Sequence, residues 1–396
     1  MKDKFIYLIF IIWLASCVCY FGHVALNNNI VSKIALGISY IIDLYYFIYT
    51  MINVKKYSIH TRKLIGVIGF ILILIVFYSL FAPNKYYSNE LRDYIGTFGS
   101  VKLIFFSLSS FFPAINFALK GYFTSRILSY TSIIVFIVGL LNYRTFLAYL
   151  QDINGESALN VNNMAYYLTC SMLFIPFCRN KILRYVMALV CVYFCIVSAK
   201  RGAILLSLVM LLFMFYYWYK EIKVKHKYAS LLFIGIIIII SIYGLSEAFQ
   251  TDVIQRRLER SGIESQVRES FWKTLIENYT SSSIFVLLFG NGFLSTIPVV
   301  GNFAHNDWLE ILYDFGLLGF GLYFILYFEI FKLLIITLKR NITPVYKLLL
   351  ILILSNILLR SAFSMVIDSV PSVIPFILLG ILIVIIENCE KNTFIC

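Results

Sequence analysis

A lone histidine between two apolar runs is the first place to look for chemistry in this chain. Residues Gly290 to Gly321 read GNGFLSTIPVVGNFAHNDWLEILYDFGLLGFG, a glycine turn followed by His305, Asn306 and Asp307 and then a long apolar stretch. Asp307 with Glu310 three residues on resembles a capping box, which predicts a helix starting at Asn306 or Asp307. His305 then sits just before a helix N-terminus, whose partial positive charge disfavours imidazolium and keeps the ring neutral. A neutral imidazole accepts a proton from a hydroxyl as general base. The same N-terminus offers backbone N–H groups to an anion, so Asn306 and Asp307 join the candidate binding residues.

Two arginines suit a phosphorylated ligand. Arg201 lies in Ser198-Ala199-Lys200-Arg201-Gly202-Ala203, a turn too tight to be a free loop between two apolar runs. A guanidinium matches phosphate oxygens in a bidentate fork, and Gly202 permits close backbone approach. Arg268 and Trp272, four apart, share one stripe of a helix whose apolar face is Val267, Phe271, Leu275 and Tyr279. That helix can clamp a pyrophosphate while resting on lipid. Gly290-Asn291-Gly292 is either a backbone nest for phosphate or a plain turn. Taken singly, each feature also has a structural reading: a snorkelling interfacial arginine, a solvated charge, an inert loop histidine.

The elements that must position these residues are membrane helices. Of 396 residues, 61% are hydrophobic and only 13% charged, with a mean hydropathy of +0.87. Apolar runs of spanning length recur from end to end, and strand alternation is absent. The expectation is an all-α polytopic membrane protein, residues 1–396 forming a single integral membrane domain of about 12 helices. The candidate spans are 5–21, 34–52, 64–82, 101–119, 127–143, 163–178, 183–199, 202–219, 229–245, 309–338, 346–366 and 370–386. Lysines and arginines cluster in the connections on the N-terminal side, as at Lys55, Lys56, Arg62 and Lys63, which predicts cytoplasmic termini. The net charge of +13 is therefore mostly topology, and no nucleic-acid partner is expected.

Residues 246–308 form the one long outer loop. It carries Arg256, Arg257, Arg260, Arg268 and Lys273, although long loops cross whatever their charge. An anionic ligand or lipid phosphates would account for them. QTDVIQRRLERSG reads as a short basic amphipathic helix ended by Gly262, and Ile284 to Phe289 as an apolar segment dipping towards the bundle. None of the eight cysteines lies in this loop, and no Cys/His spacing suggests a metal site. Asp43 and Asp314 fall inside spans, where each is a candidate buried partner of an arginine or tyrosine. Gly316, Gly319 and Gly321 suit close helix packing.

In order along the chain, NVNNMAYYL (Asn160 to Leu168), SAKRGAILL, RESFWKTL, FGNGF and AHNDWLEILYDFGLLG resemble the O-antigen ligase/polymerase superfamily of bacterial envelope proteins. The resemblance covers roughly residues 160–325. It implies an inner-membrane glycosyltransferase with a periplasmic active site, no cofactor and no metal. Its arginines, Arg201 and Arg268 here, would engage the diphosphate of an undecaprenyl-linked oligosaccharide, and His305 would assist transfer. Lys200 stands where the family often has a small polar residue, which leaves Lys200 and Arg201 both open for the phosphate role. Membrane lipid and a chain-length regulator protein are the further partners implied. The expected activity is surface polysaccharide polymerase, with ligase to the lipid A core as alternative. A flippase or transporter of lipid-linked oligosaccharide is the reading from another class, and the lack of an internal repeat speaks against it.

Overall fold

A computed structural model describes residues 2–81, 104–152, 161–198, 200–221, 252–364, 366 and 369–391. Its elements are α1 (Lys2–Phe21), α2 (Ile30–Ile52), α3 (Ile59–Phe81), α4 (Phe111–Leu119), α5 (Ser125–Asp152), α6 (Val161–Met172) and α7 (Lys181–Val197). They continue with α8 (Arg201–Glu221), α9 (Asp252–Thr280), α10 (Ile284–Phe289), α11 (Ile297–Val300), α12 (Asp307–Lys339), α13 (Pro344–Phe363) and α14 (Val373–Lys391). The described residues form helices because an apolar chain in lipid must satisfy every backbone N–H and C=O within its own segment. Eight of these helices are long and apolar enough to cross a membrane, and Ile104–Leu119 and Met164–Phe177 are shorter apolar helices. The candidate span 229–245 lies outside the described residues.

Membrane helices hide their polar stripe and show lipid their apolar one. In α2 the buried residues are Ser32, Ala35, Ser39, Asp43, Tyr46 and Thr50, at helical spacing, while Ile41, Leu44, Tyr45 and Ile52 are exposed. Asp43 is fully buried, and its carboxylate accepts 2.8 Å bonds from Trp13 Nε1 and Ser109 Oγ. It is thus a structural tie between α1, α2 and the segment before α4, made through a tryptophan and a serine. Glu329 reaches Lys63 at 3.9 Å, which couples α12 to α3. The innermost helix is α14, which packs on α4, while α13 packs on α8 and α12.

Two expectations about the region 246–308 change. The basic segment does not end at Gly262: α9 is one helix of 29 residues running through it. A mid-helix glycine costs only about 1 kcal/mol, which the surrounding arginines, glutamates and leucines of good helix propensity offset. The span expected at 309–338 is interrupted, since Gly316 has φ 64° and ψ −163° inside α12.

That kink explains the glycine turn. A Cβ on Gly290, where φ is +81°, would lie 2.2 Å from the Asp314 carbonyl oxygen, and one on Gly316 would lie 2.5 Å from the Gly290 nitrogen. The two glycines let the turn and the broken helix meet backbone to backbone. Asn291 N–H donates to the Tyr313 carbonyl and Gly292 N–H to that of Asp314, each at 3.0 Å, while Gly290 N–H donates to Val286. All three amides are committed, so Gly290, Asn291 and Gly292 form a clamp on the kink, and the phosphate-nest reading falls. The Asp314 carboxylate completes the clamp. It accepts from Leu294 N–H (2.7 Å), Ser295 N–H (2.9 Å) and Ser295 Oγ (2.7 Å), not from an arginine or tyrosine. A Cβ on Gly321 would meet nothing within 4 Å, so close packing is not its role.

Candidate active site

The kink, the turn and α11 deliver the chain to Ala304, which is held from both sides. Its N–H donates to Glu310 Oε2 at 2.7 Å, and its carbonyl accepts from Trp272 Nε1 at 2.8 Å. Glu310 also accepts from Thr296 Oγ1. The capping-box spacing therefore marks a different device: Glu310 reaches back to Ala304 and Thr296, and the N-cap is Asn306, whose Oδ1 accepts from Leu309 N–H at 3.1 Å. Between the fixed Ala304 and the fixed Asn306 stands His305, with φ 54° in the left-handed region. A non-glycine residue there is held against a local cost, a pattern that clusters at functional sites.

Trp272 ties α9 to this loop, and Arg268 lies one helical turn before it on the same stripe. Arg268 is half-buried and, among the described residues, makes no ion pair. Lys200, just before α8, also comes near the loop. The half-buried His305 imidazole is pushed down to about 4, first by burial and then by the charges of Arg268 and Lys200. The result is a neutral imidazole near two cations, ahead of a helix N-terminus.

Of the adjacent pair left open by the sequence, Lys200 is the one whose charge reaches His305. Its Nζ also lies 5.9 Å from the centre of the Tyr166 ring. Arg201 is exposed. Trp272, Asn306 and Asp307, expected among the ligand contacts, are occupied by the fold. Trp272 holds Ala304, and Asn306 caps α12 and reaches the Ala362 carbonyl at 3.4 Å. Asp307 is buried, and its Oδ2 accepts from Tyr323 Oη and Val366 N–H, each at 2.8 Å. Arg256, Arg257 and Arg260 fall on the early turns of α9, and their side chains lie outside the described residues, as does Asn160.

Two residues at this end of the bundle escaped the sequence reading. Arg360, from the last turn of α13, is 1% exposed. It donates to Ser369 Oγ (2.7 Å), Ser372 Oγ (2.6 Å) and Cys170 Sγ (3.1 Å), with its Cζ 5.5 Å from the Tyr166 ring centre. An arginine inside an apolar run was the available signal. The other is Tyr166 in α6, whose ring lies beside both Lys200 and Arg360.

Residues 186–324 match a protein-family model described as O-antigen ligase. The matched stretch contains Lys200, Arg201, Arg268 and His305. No curated protein matches the chain.

Proposed function

We propose that this membrane protein, which residues 186–324 place in the O-antigen ligase/polymerase superfamily, is a surface polysaccharide polymerase. Its donor and acceptor would be undecaprenyl-diphosphate-linked repeat units, joined on the periplasmic face of the bacterial inner membrane, with both chain termini cytoplasmic. The observation that carries this reading is the half-buried His305, held in a left-handed backbone ahead of α12 and kept neutral by burial and by the nearby charges of Arg268 and Lys200. A neutral base beside two cations suits a reaction in which a hydroxyl loses a proton while a diphosphate departs.

The donor diphosphate binds between Arg268 and the Lys200–Arg201 turn. His305 takes the proton of the acceptor hydroxyl as its oxygen attacks the anomeric carbon. The bond from that carbon to the phosphate oxygen breaks, and the electron pair leaves with the diphosphate, where the cations stabilise it. Direct displacement inverts the anomeric centre. The diphosphate offsets the two positive charges that hold the imidazole down, so the base strengthens when the substrate is in place. Asp307, Glu310 and Asp314 are bound to the fold through the contacts above, which disfavours a route through paired carboxylates.

The same site suits a ligase that transfers the glycan to the lipid A core. Polymerase is preferred because a second lipid diphosphate needs further cations, and Arg256, Arg257, Arg260 and Lys273 supply them on the same helix as Arg268. The test is His305→Ala expressed in cells lacking the native gene, with the surface glycan run on a gel and membrane insertion checked. Lipid A core capped by a single repeat unit supports the polymerase. Loss of all glycan on the core supports the ligase, and an unchanged ladder removes the general-base role.

A further inference from the structure

The first turn of α8 and the Tyr166 hydroxyl face each other. A Cβ on Gly202 would lie 2.7 Å from Tyr166 Oη, so the phenol end abuts the helix where glycine leaves room. The first bond of α8 runs from Ile204 N–H to the Lys200 carbonyl at 2.9 Å. The amides ahead of it have no carbonyl a full turn back inside the helix, and they form the positive end of its dipole. Tyr166 is 3% exposed, and its hydroxyl has Ser364 close by but, among the described residues, no partner at full hydrogen-bond geometry. A buried hydroxyl left short of a well-formed hydrogen bond is costly, and a bound acceptor would satisfy it. The charge around it has one sign. Lys200 and Arg360 lie beside the ring, and the charge of Arg268 reaches the phenol from α9.

We propose that Tyr166 donates its hydroxyl hydrogen bond to one phosphate of the lipid diphosphate, which rests on the first turn of α8 between Lys200 and Arg268. The inference rests on the glycosyl-transfer reading above and names a substrate-contacting residue for it, from a helix outside the matched stretch 186–324. The hydroxyl is reached when the Lys200 side chain leaves the ring for the incoming anion, exchanging a cation–π contact for an ion pair. Gly202 is then required twice, for the approach of the phosphate to the backbone and for the place of the phenol. Arg360 stays where Ser369 and Ser372 hold it and keeps its charge beside the ring.

The experiment uses the full-length protein in lipid nanodiscs and compares Tyr166→Phe, Tyr166→Ala, Arg268→Ala and His305→Ala. Binding of undecaprenyl diphosphate is measured, with undecaprenol, which lacks phosphate, as the control lipid. Phenylalanine keeps the ring beside its cations and removes only the hydroxyl, so the variant is expected to fold. The expected result is a ~10–100-fold weaker affinity of Tyr166→Phe for undecaprenyl diphosphate, as for loss of a hydrogen bond to a charged group, with undecaprenol binding unchanged. Wild-type affinity in Tyr166→Phe together with weak binding in Arg268→Ala overturns the role of Tyr166 and leaves the site intact. Wild-type diphosphate affinity in Arg268→Ala and Tyr166→Phe alike, with full turnover in His305→Ala, overturns both this inference and the reading beneath it.

Discussion

Trp272→Phe tests how the base is placed without touching the base. The substitution keeps an aromatic ring against the loop and deletes one donor, the indole N–H that holds the Ala304 carbonyl at 2.8 Å. Ala304 is fully buried, so its carbonyl is left without that partner. The cost is about 1–3 kcal/mol, the usual range for a buried acceptor that loses its bond. It falls on the residue next to His305, whose left-handed backbone has to be held from both sides. A loop loosened by that much lets the imidazole wander by the order of 1 Å, and such misplacement lowers turnover by up to about 100-fold. The assay is transfer by the purified protein from a lipid-diphosphate-linked oligosaccharide, with undecaprenyl diphosphate binding measured alongside. Turnover should fall ~10–100-fold with binding changed far less, because Arg268 stays on its helix. Wild-type turnover in a folded Trp272→Phe protein would refute the idea that α9 positions the base through Ala304.

Further outcomes follow from the same geometry. Activity should persist below the ordinary histidine value of 6.5, because His305 is held down to about 4, and Arg268→Ala should move the acid limb of any residual activity upward. A histidine with a lowered folded value binds fewer protons when folded. It therefore withdraws stability from the loop as pH falls from 6.5 towards about 4 and withdraws none above 6.5, which thermal unfolding across that window reads out. Gly290→Ala should abolish folding or cost several kcal/mol, roughly 3 or more, since its Cβ would meet the Asp314 backbone at 2.2 Å. Gly321→Ala, with open space around it, should be neutral or stabilising by up to about 1 kcal/mol, and yields of folded protein compare the two. Arg360→Lys keeps the charge but loses the fork on Ser369 and Ser372, and should lower the unfolding temperature with a loss of about 2–3 kcal/mol.

Much of this molecule is written in local pattern. Apolar runs of spanning length give the helices, because lipid leaves the backbone no other partner. The start of α12 at Asp307 and the common stripe of Arg268 and Trp272 follow from spacing alone. What spacing does not carry is which partner a polar group finds. Glu310 at the capping-box position serves Ala304 and Thr296, and the glycine turn serves a helix break 26 residues further on, at Gly316. Both depend on contacts made only after the chain folds back. The choice between Lys200 and Arg201 depends on the angle at which α8 begins, and adjacent residues on a helix face different ways. The role of Arg360 was not legible because its serine partners come nine and twelve positions later, beyond the end of α13.

The proposed reaction turns on a neutral His305, near Lys200 and Arg268, driving transfer from a lipid diphosphate. The most direct measurement mixes the purified protein in nanodiscs with a defined undecaprenyl-diphosphate-linked oligosaccharide and follows both released undecaprenyl diphosphate and lengthened glycan. One diphosphate should be released per linkage formed, with both lost together in His305→Ala while the lipid still binds. Glycan lengthening in His305→Ala at the wild-type rate would contradict it.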